Sequence, residues 1–232
     1  MERLPLAVSL PHSGTRIPTE VARLTRLTED DVAKASHAGL AELCGTLIER
    51  VEVFATTRIA PLFVDLDCAP DDCSPFGVIK RDTPWQAPVY REFPSKQLVS
   101  SLLDRYHRPY HHQLGLRAHR AMLGLDFHAL PCSSRSADDP DGKEAASLHP
   151  GPTVPCAWTR ALAAAFERRL GVEPFIHWRD TPGFITRSAP GGIPWIRIEL
   201  PTASLRDPPL DAAGLIGLLE SFYRAVQQRS RR

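Results

Sequence analysis

The sequence predicts a single α/β domain built on a mixed, largely parallel sheet flanked by helices. Apolar strand-like runs alternate with amphipathic helical stretches along the chain, the pattern of a sheet covered by helices. His12, Asp65, Asp67, His128 and Glu199 each fall where such a run ends, and open α/β sheets gather their chemistry at those ends. A length of 232 residues fits one domain, and neither an internal repeat nor a boundary between domains is visible.

Pro5 to Leu10 reads as a buried strand that stops at Pro11-His12-Ser13-Gly14. Helical spacing runs from Glu29 to Arg50, with Val32, Ala35, Leu40, Leu43 and Leu47 on one stripe. Val51–Ala55 and Leu62–Leu66 read as short strands, the second delivering Asp65 and Asp67. Residues 68–95 are rich in Pro, Asp and Gly and predict irregular chain. Ser95 to Arg120 reads as a long helix that Pro109 should kink or split. Met122–Leu130 returns to a strand carrying Asp126 and His128 on one face. Residues 133–155 read as loop, either a lid over a site or a plain surface loop. Trp158–Leu170 predicts a helix closed by Gly171, Pro174–Trp178 and Trp195–Leu200 predict strands, and Ala212–Gln228 a last amphipathic helix.

The 28 basic and 27 acidic residues leave a net charge of +1, too little to attract nucleic acid or membrane as a field. No apolar run approaches bilayer length. Five cysteines without zinc-finger spacing, and no secretory leader, read as free thiols in a reducing, cytoplasmic compartment. Hydrophobic residues make up 43% of the chain, enough for a core without a structural metal, so a metal here would be catalytic.

Several groups point to chemistry. His12 sits at a strand exit near Gly14, and a lone histidine in such a place is more often a structural hydrogen-bonding residue than a ligand. Asp126 and His128 share a face, so the carboxylate can orient a ring. Glu199 lies in Trp-Ile-Arg-Ile-Glu-Leu-Pro, where burial would raise its pKa towards that of a base. A pairing with Arg187 or Arg197 is the structural alternative. His107 and His111 are spaced to share a helix face and a metal, but no Glu accompanies them. Cys68 and Cys73 beside aspartates leave a thiol nucleophile as a minor reading. No phosphate loop, dinucleotide fingerprint or serine-hydrolase elbow is present.

In order along the chain, these motifs resemble the N-formylglutamate amidohydrolase family. The matching segments are Pro11–Gly14, Asp65–Cys68, Tyr106–His111, Asp126–Ala129, Gly183–Arg187 and Arg197–Glu199. The resemblance implies a zinc-carboxypeptidase-like fold and hydrolysis of a small N-acyl amide. It implies His12 and His128 as zinc ligands, Glu199 as the base that activates water at the metal, and Arg58 as the oxyanion partner. His37 is the implied third ligand, with Asp65 or Asp67 next. Asp67 and Cys68 stand where the family carries Asn and Arg, so the usual carboxylate clamp is missing. The expectation is therefore a different N-acyl or N-formyl substrate, cationic or neutral near Asp67, with Arg187 and His111 as further substrate contacts. The alternative is a non-catalytic protein that binds a small molecule on the same fold.

Overall fold

The computed structural model describes residues 3–130, 145–180, 183–202 and 210–230. Its elements are β1 (Leu4–Leu10), α1 (Glu29–Lys34), α2 (Ala38–Cys44), β2 (Val51–Thr56), α3 (Lys96–Leu102), α4 (Arg108–Ala118), β3 (Leu123–Leu130), β4 (Ser147–Pro150), α5 (Cys156–Leu170), β5 (Phe175–Ile176), α6 (Phe184–Ser188), β6 (Trp195–Pro201) and α7 (Ala212–Ser230). The strands form one six-stranded sheet in the order β2-β1-β3-β6-β4-β5. Every neighbouring pair is parallel except β4 with β6. The mixed, largely parallel sheet predicted from the sequence is the one observed.

Period-two alternation sorts the central strands into two faces. Leu6, Val8, Leu125, Phe127, Ile196 and Ile198 pack under α2, α5 and α7 in one apolar cluster. On the other face Ala7 and Trp195 join α3, α4 and the 60–66 segment in a second. That same face carries Ser9, Asp126, His128, Arg197 and Glu199, all in strands whose apolar residues are fully covered. Polar groups so placed must find partners inside the protein.

Four local expectations are corrected. The stripe from Glu29 to Arg50 is three pieces: α1, α2 and a 3₁₀ segment at Gly45–Glu49. The break at Ala35–His37 is held from outside, since Ser36 Oγ donates to Gly14 O and the His37 N–H to His12 O. Leu62–Leu66 is buried but forms turns, not a strand. A continuous apolar run marks burial without fixing conformation. Within the expected loop at 133–155, residues 147–150 are β4, paired to β6 and β5. The remainder of that candidate lid, 133–144, lies outside the described residues. Finally, the helix from Lys96 runs through to Ala118 by way of a π-helical turn at Leu103–His107. Pro109 then falls in the first turn of α4, where its missing N–H is tolerated.

Among the described residues no helix is long and apolar enough to cross a membrane.

Candidate active site

Past the carboxyl end of β1 the chain turns at Pro11–His12, and at Gly14 it passes close against Arg58 and Ile59. A Cβ there would lie 2.3 Å from Ile59 O, so only glycine lets the two segments pass. His12 leaves this turn, His128 the end of β3, and His37 caps α2 at its start. The three imidazoles converge, with ring centroids 4.8 Å apart for His12–His128, 5.2 Å for His12–His37 and 6.0 Å for His37–His128. Their nitrogens come within 4.8 Å of one another, as do donor atoms of Asp67, Asp126 and His128.

Each ring is oriented by a different group. His128 Nε2 is 2.8 Å from Asp126 Oδ2, while its Nδ1 is buried with no partner among the described residues. Asp126 is itself fixed by Ser9 Oγ, which donates to Oδ1 at 2.8 Å and is 2.9 Å from the Tyr110 hydroxyl. His12 Nε2 is 2.8 Å from Asp65 Oδ1, and Lys80 Nζ holds Asp65 Oδ2 at 2.7 Å. Nδ1 of His37 accepts the Ala129 N–H at 3.1 Å. Its Nε2 then carries the proton of the neutral ring, so His37 can ligate a cation only by releasing that amide. This is the least prepared of the three.

The electrostatics follow from burial and pairing. Burial lowers the His12 pKa, but Asp65 and Asp67 outweigh it and leave it raised above 6.5. Burial, reinforced by His12, His128 and Arg197, pushes His37 down to about 2, and burial with Arg197 holds His128 well below its usual range. Asp126 is pushed up to about 6, chiefly by burial. Burial would raise Asp65, but His12 and Lys80 keep it well below the usual carboxylate range.

Glu199 departs from expectation. Burial alone would raise its pKa, yet His149 and Arg197 bring it down to about 2. Arg197 Nε donates to Glu199 Oε1 at 2.7 Å, the pairing that the sequence offered as the structural alternative. The same guanidinium reaches Asp67 Oδ2 through Nη1. Asp67 is further tied by the Ile185 N–H on Oδ1 at 3.1 Å. Asp67 is therefore paired with Arg197 within the chain.

The remaining residues read from the sequence lie elsewhere. His107 and His111 do not form a metal pair: His107 Nε2 bonds Cys68 O at 2.9 Å and His111 Nε2 bonds Leu66 O at 2.8 Å, pinning the 66–68 turn to the helix. Arg187 is exposed on α6. Arg58 is exposed on the wall of a groove of about 660 Å³ shared with Arg16, Arg105, Tyr106, Tyr110 and Arg117, which none of the three histidines lines. Burial and the neighbouring Asp65 push Cys68 up to about 12, which disfavours a thiolate nucleophile. Sequence reasoning missed Lys80, which sits in irregular chain, and His149, which reaches Glu199 from β4.

A mostly parallel sheet with a histidine and carboxylate cluster at its strand ends defines an α/β protein with a polar centre built for chemistry or ligation. The family profile described as N-formylglutamate amidohydrolase matches residues 4–205. The chain belongs to the N-formylglutamate amidohydrolase family, a family of hydrolases. In fold it is similar to N-formylglutamate amidohydrolase from Ralstonia eutropha JMP134, with a TM-score of 0.73 and 16% identity over 100% of this chain and 94% of that one. It is equally similar to the gene product Atu2144 from Agrobacterium tumefaciens, with a TM-score of 0.73 and 14% identity over 97% and 90%. No curated protein matches the chain.

Proposed function

We propose that this chain is a zinc-dependent amidohydrolase acting on a small N-acyl or N-formyl amide, with His12, His37 and His128 as ligands. The observation that carries the reading is Nδ1 of His128, buried without a partner while Asp126 holds the opposite nitrogen. A ligating histidine with its second nitrogen on a carboxylate has this arrangement. Charge supports it too. Among the described residues, Asp65, Asp67, Asp126 and Glu199 face Lys80 and Arg197 as fixed cations, an excess of carboxylates that suits a divalent ion. Three histidines are a donor set typical of catalytic zinc.

A bound zinc supplies Lewis acidity, polarising the acyl carbonyl and making water easier to deprotonate. Asp126 and Asp65 keep the His128 and His12 rings in their orientations. Glu199, ionised at neutral pH, takes a proton from the attacking water and delivers it to the leaving amine. Arg58, the oxyanion partner implied by the family resemblance, takes no part in this reading, because it lines a groove that none of the three histidines lines. Because Arg197 already neutralises Asp67, the substrate group next to Asp67 is neutral.

The test is a panel of N-formyl and N-acetyl amino acids offered to the zinc-loaded protein and to Glu199→Gln. The variant should lose turnover and keep its metal, because the base is not a ligand. Substantial residual turnover in the variant would rule out Glu199 as the base.

A further inference from the structure

His149 lies on β4, opposite Arg197 in the antiparallel register with β6, and only 5% of it is exposed. Neither of its ring nitrogens has a hydrogen bond among the described residues. Nε2 is 3.3 Å from Glu199 Oε2, and Nδ1 is 4.0 Å from Oδ2 of Asp180, whose side chain is exposed. Its face is stacked on His177, with centroids 4.3 Å apart and planes within 6°. The charged and titratable neighbours are thus Glu199 and Arg197 from β6, and His177 and Asp180 from the segment after β5.

A buried imidazole with both nitrogens idle is uncommon, because the loss of solvation is normally offset by a hydrogen bond. Here each nitrogen is aimed at a carboxylate, and a small closing movement completes the bond to Glu199. The stack on His177 fixes the plane in which that movement occurs. Glu199 Oε1 is already taken by Arg197 Nε. A donor on Oε2 as well stops the carboxylate from turning about its last bond.

From this geometry we infer that His149 is a positioning residue for Glu199: it holds Oε2 while Arg197 holds Oε1, and so sets the direction in which the base faces. The inference rests on the hydrolase reading above. Donation to Glu199 Oε2 places the ring proton on Nε2, the nitrogen 3.3 Å from that oxygen. The role acts through Glu199 and requires no contact between His149 and substrate.

Two measurements on the full-length protein test it. In the zinc-loaded enzyme, His149→Phe preserves the ring stacked on His177 and removes the donor. Its kcat on the N-formyl and N-acetyl amino acid panel should fall about 10–100-fold, the size expected when a hydrogen bond to a charged group is removed. KM and zinc content should stay at wild-type levels, and His149→Gln should recover part of the kcat. A kcat within about twofold of wild type would overturn the inference, as would a loss of kcat accompanied by loss of zinc. The second measurement needs no turnover: ¹H–¹⁵N spectra of the imidazoles in wild type and Glu199→Gln. His149 signals should move when Glu199 is changed, and unmoved signals would refute the contact. If wild type hydrolyses nothing on the panel, the hydrolase reading fails while the spectra still decide the pairing.

Discussion

Arg197 is the side chain whose removal should disturb this site most. It sits between Asp67 and Glu199, with side-chain exposures of 15%, 5% and 14% respectively. Arg197→Met keeps the aliphatic stem and deletes the charge, leaving two carboxylates without their cation. Breaking a buried pair from one side typically costs about 3–5 kcal/mol. The Glu199 pKa supports a similar size. Held at about 2 rather than 4.5, it carries about 3 kcal/mol of favourable interaction. That sum is shared between His149 and Arg197. For a chain of this length each kcal/mol lowers Tm by about 2–4 °C, so the variant should melt about 6–20 °C below wild type. Thermal unfolding should be followed in chelator, so that metal release does not contribute. Because the Glu199 pKa is depressed on folding, its stabilisation is complete above about 4.5 and fades as pH falls towards about 2. The Glu199 part of the gap between wild type and variant should narrow over that window. Adding Asp67→Asn and Glu199→Gln should restore much of the loss at neutral pH. A Tm drop below about 2 °C for Arg197→Met would refute the reasoning.

Gly183 has φ +87°, and a Cβ there would meet Asp67 Oδ2 at 2.3 Å. Gly183→Ala should therefore cost about 1–3 kcal/mol in urea unfolding from backbone strain, and more if Asp67 cannot yield. His12 behaves oppositely to Glu199. Its raised pKa stabilises the metal-free fold below pH 6.5, and that contribution is lost as pH rises through the folded value. Asp65→Asn should remove this part of the pH dependence of Tm in the metal-free protein, and an unchanged profile would count against the His12–Asp65 pair.

Much of the frame was legible because it rests on local patterns. In β6, Trp195, Arg197 and Glu199 alternate with Ile196, Ile198 and Leu200, so the sequence already separates the site face from the core face. The same alternation puts Asp126 beside His128, and the structure joins them at 2.8 Å. What escaped was decided by distant contacts. The break before α2 depends on bonds from Ser36 and His37 back to the turn after β1. β4 is four residues long and owes its conformation to β6 and β5, neither of them close in sequence. Lys80 comes from irregular chain with no period to flag it. Burial alone points to a raised Glu199 pKa, and the sign reverses because His149, which no spacing in the sequence ties to β6, joins Arg197 in outweighing desolvation. His12, His37 and His128 were brought together by the family resemblance, since no spacing rule links positions so far apart.

Metal content tests the central claim most directly. Elemental analysis should find about one zinc per chain in the purified or reconstituted protein, and His128→Ala, which removes the idle buried Nδ1, should abolish it. A wild-type protein that takes up no divalent metal after reconstitution, or a His128→Ala variant that keeps a full equivalent, would contradict the account.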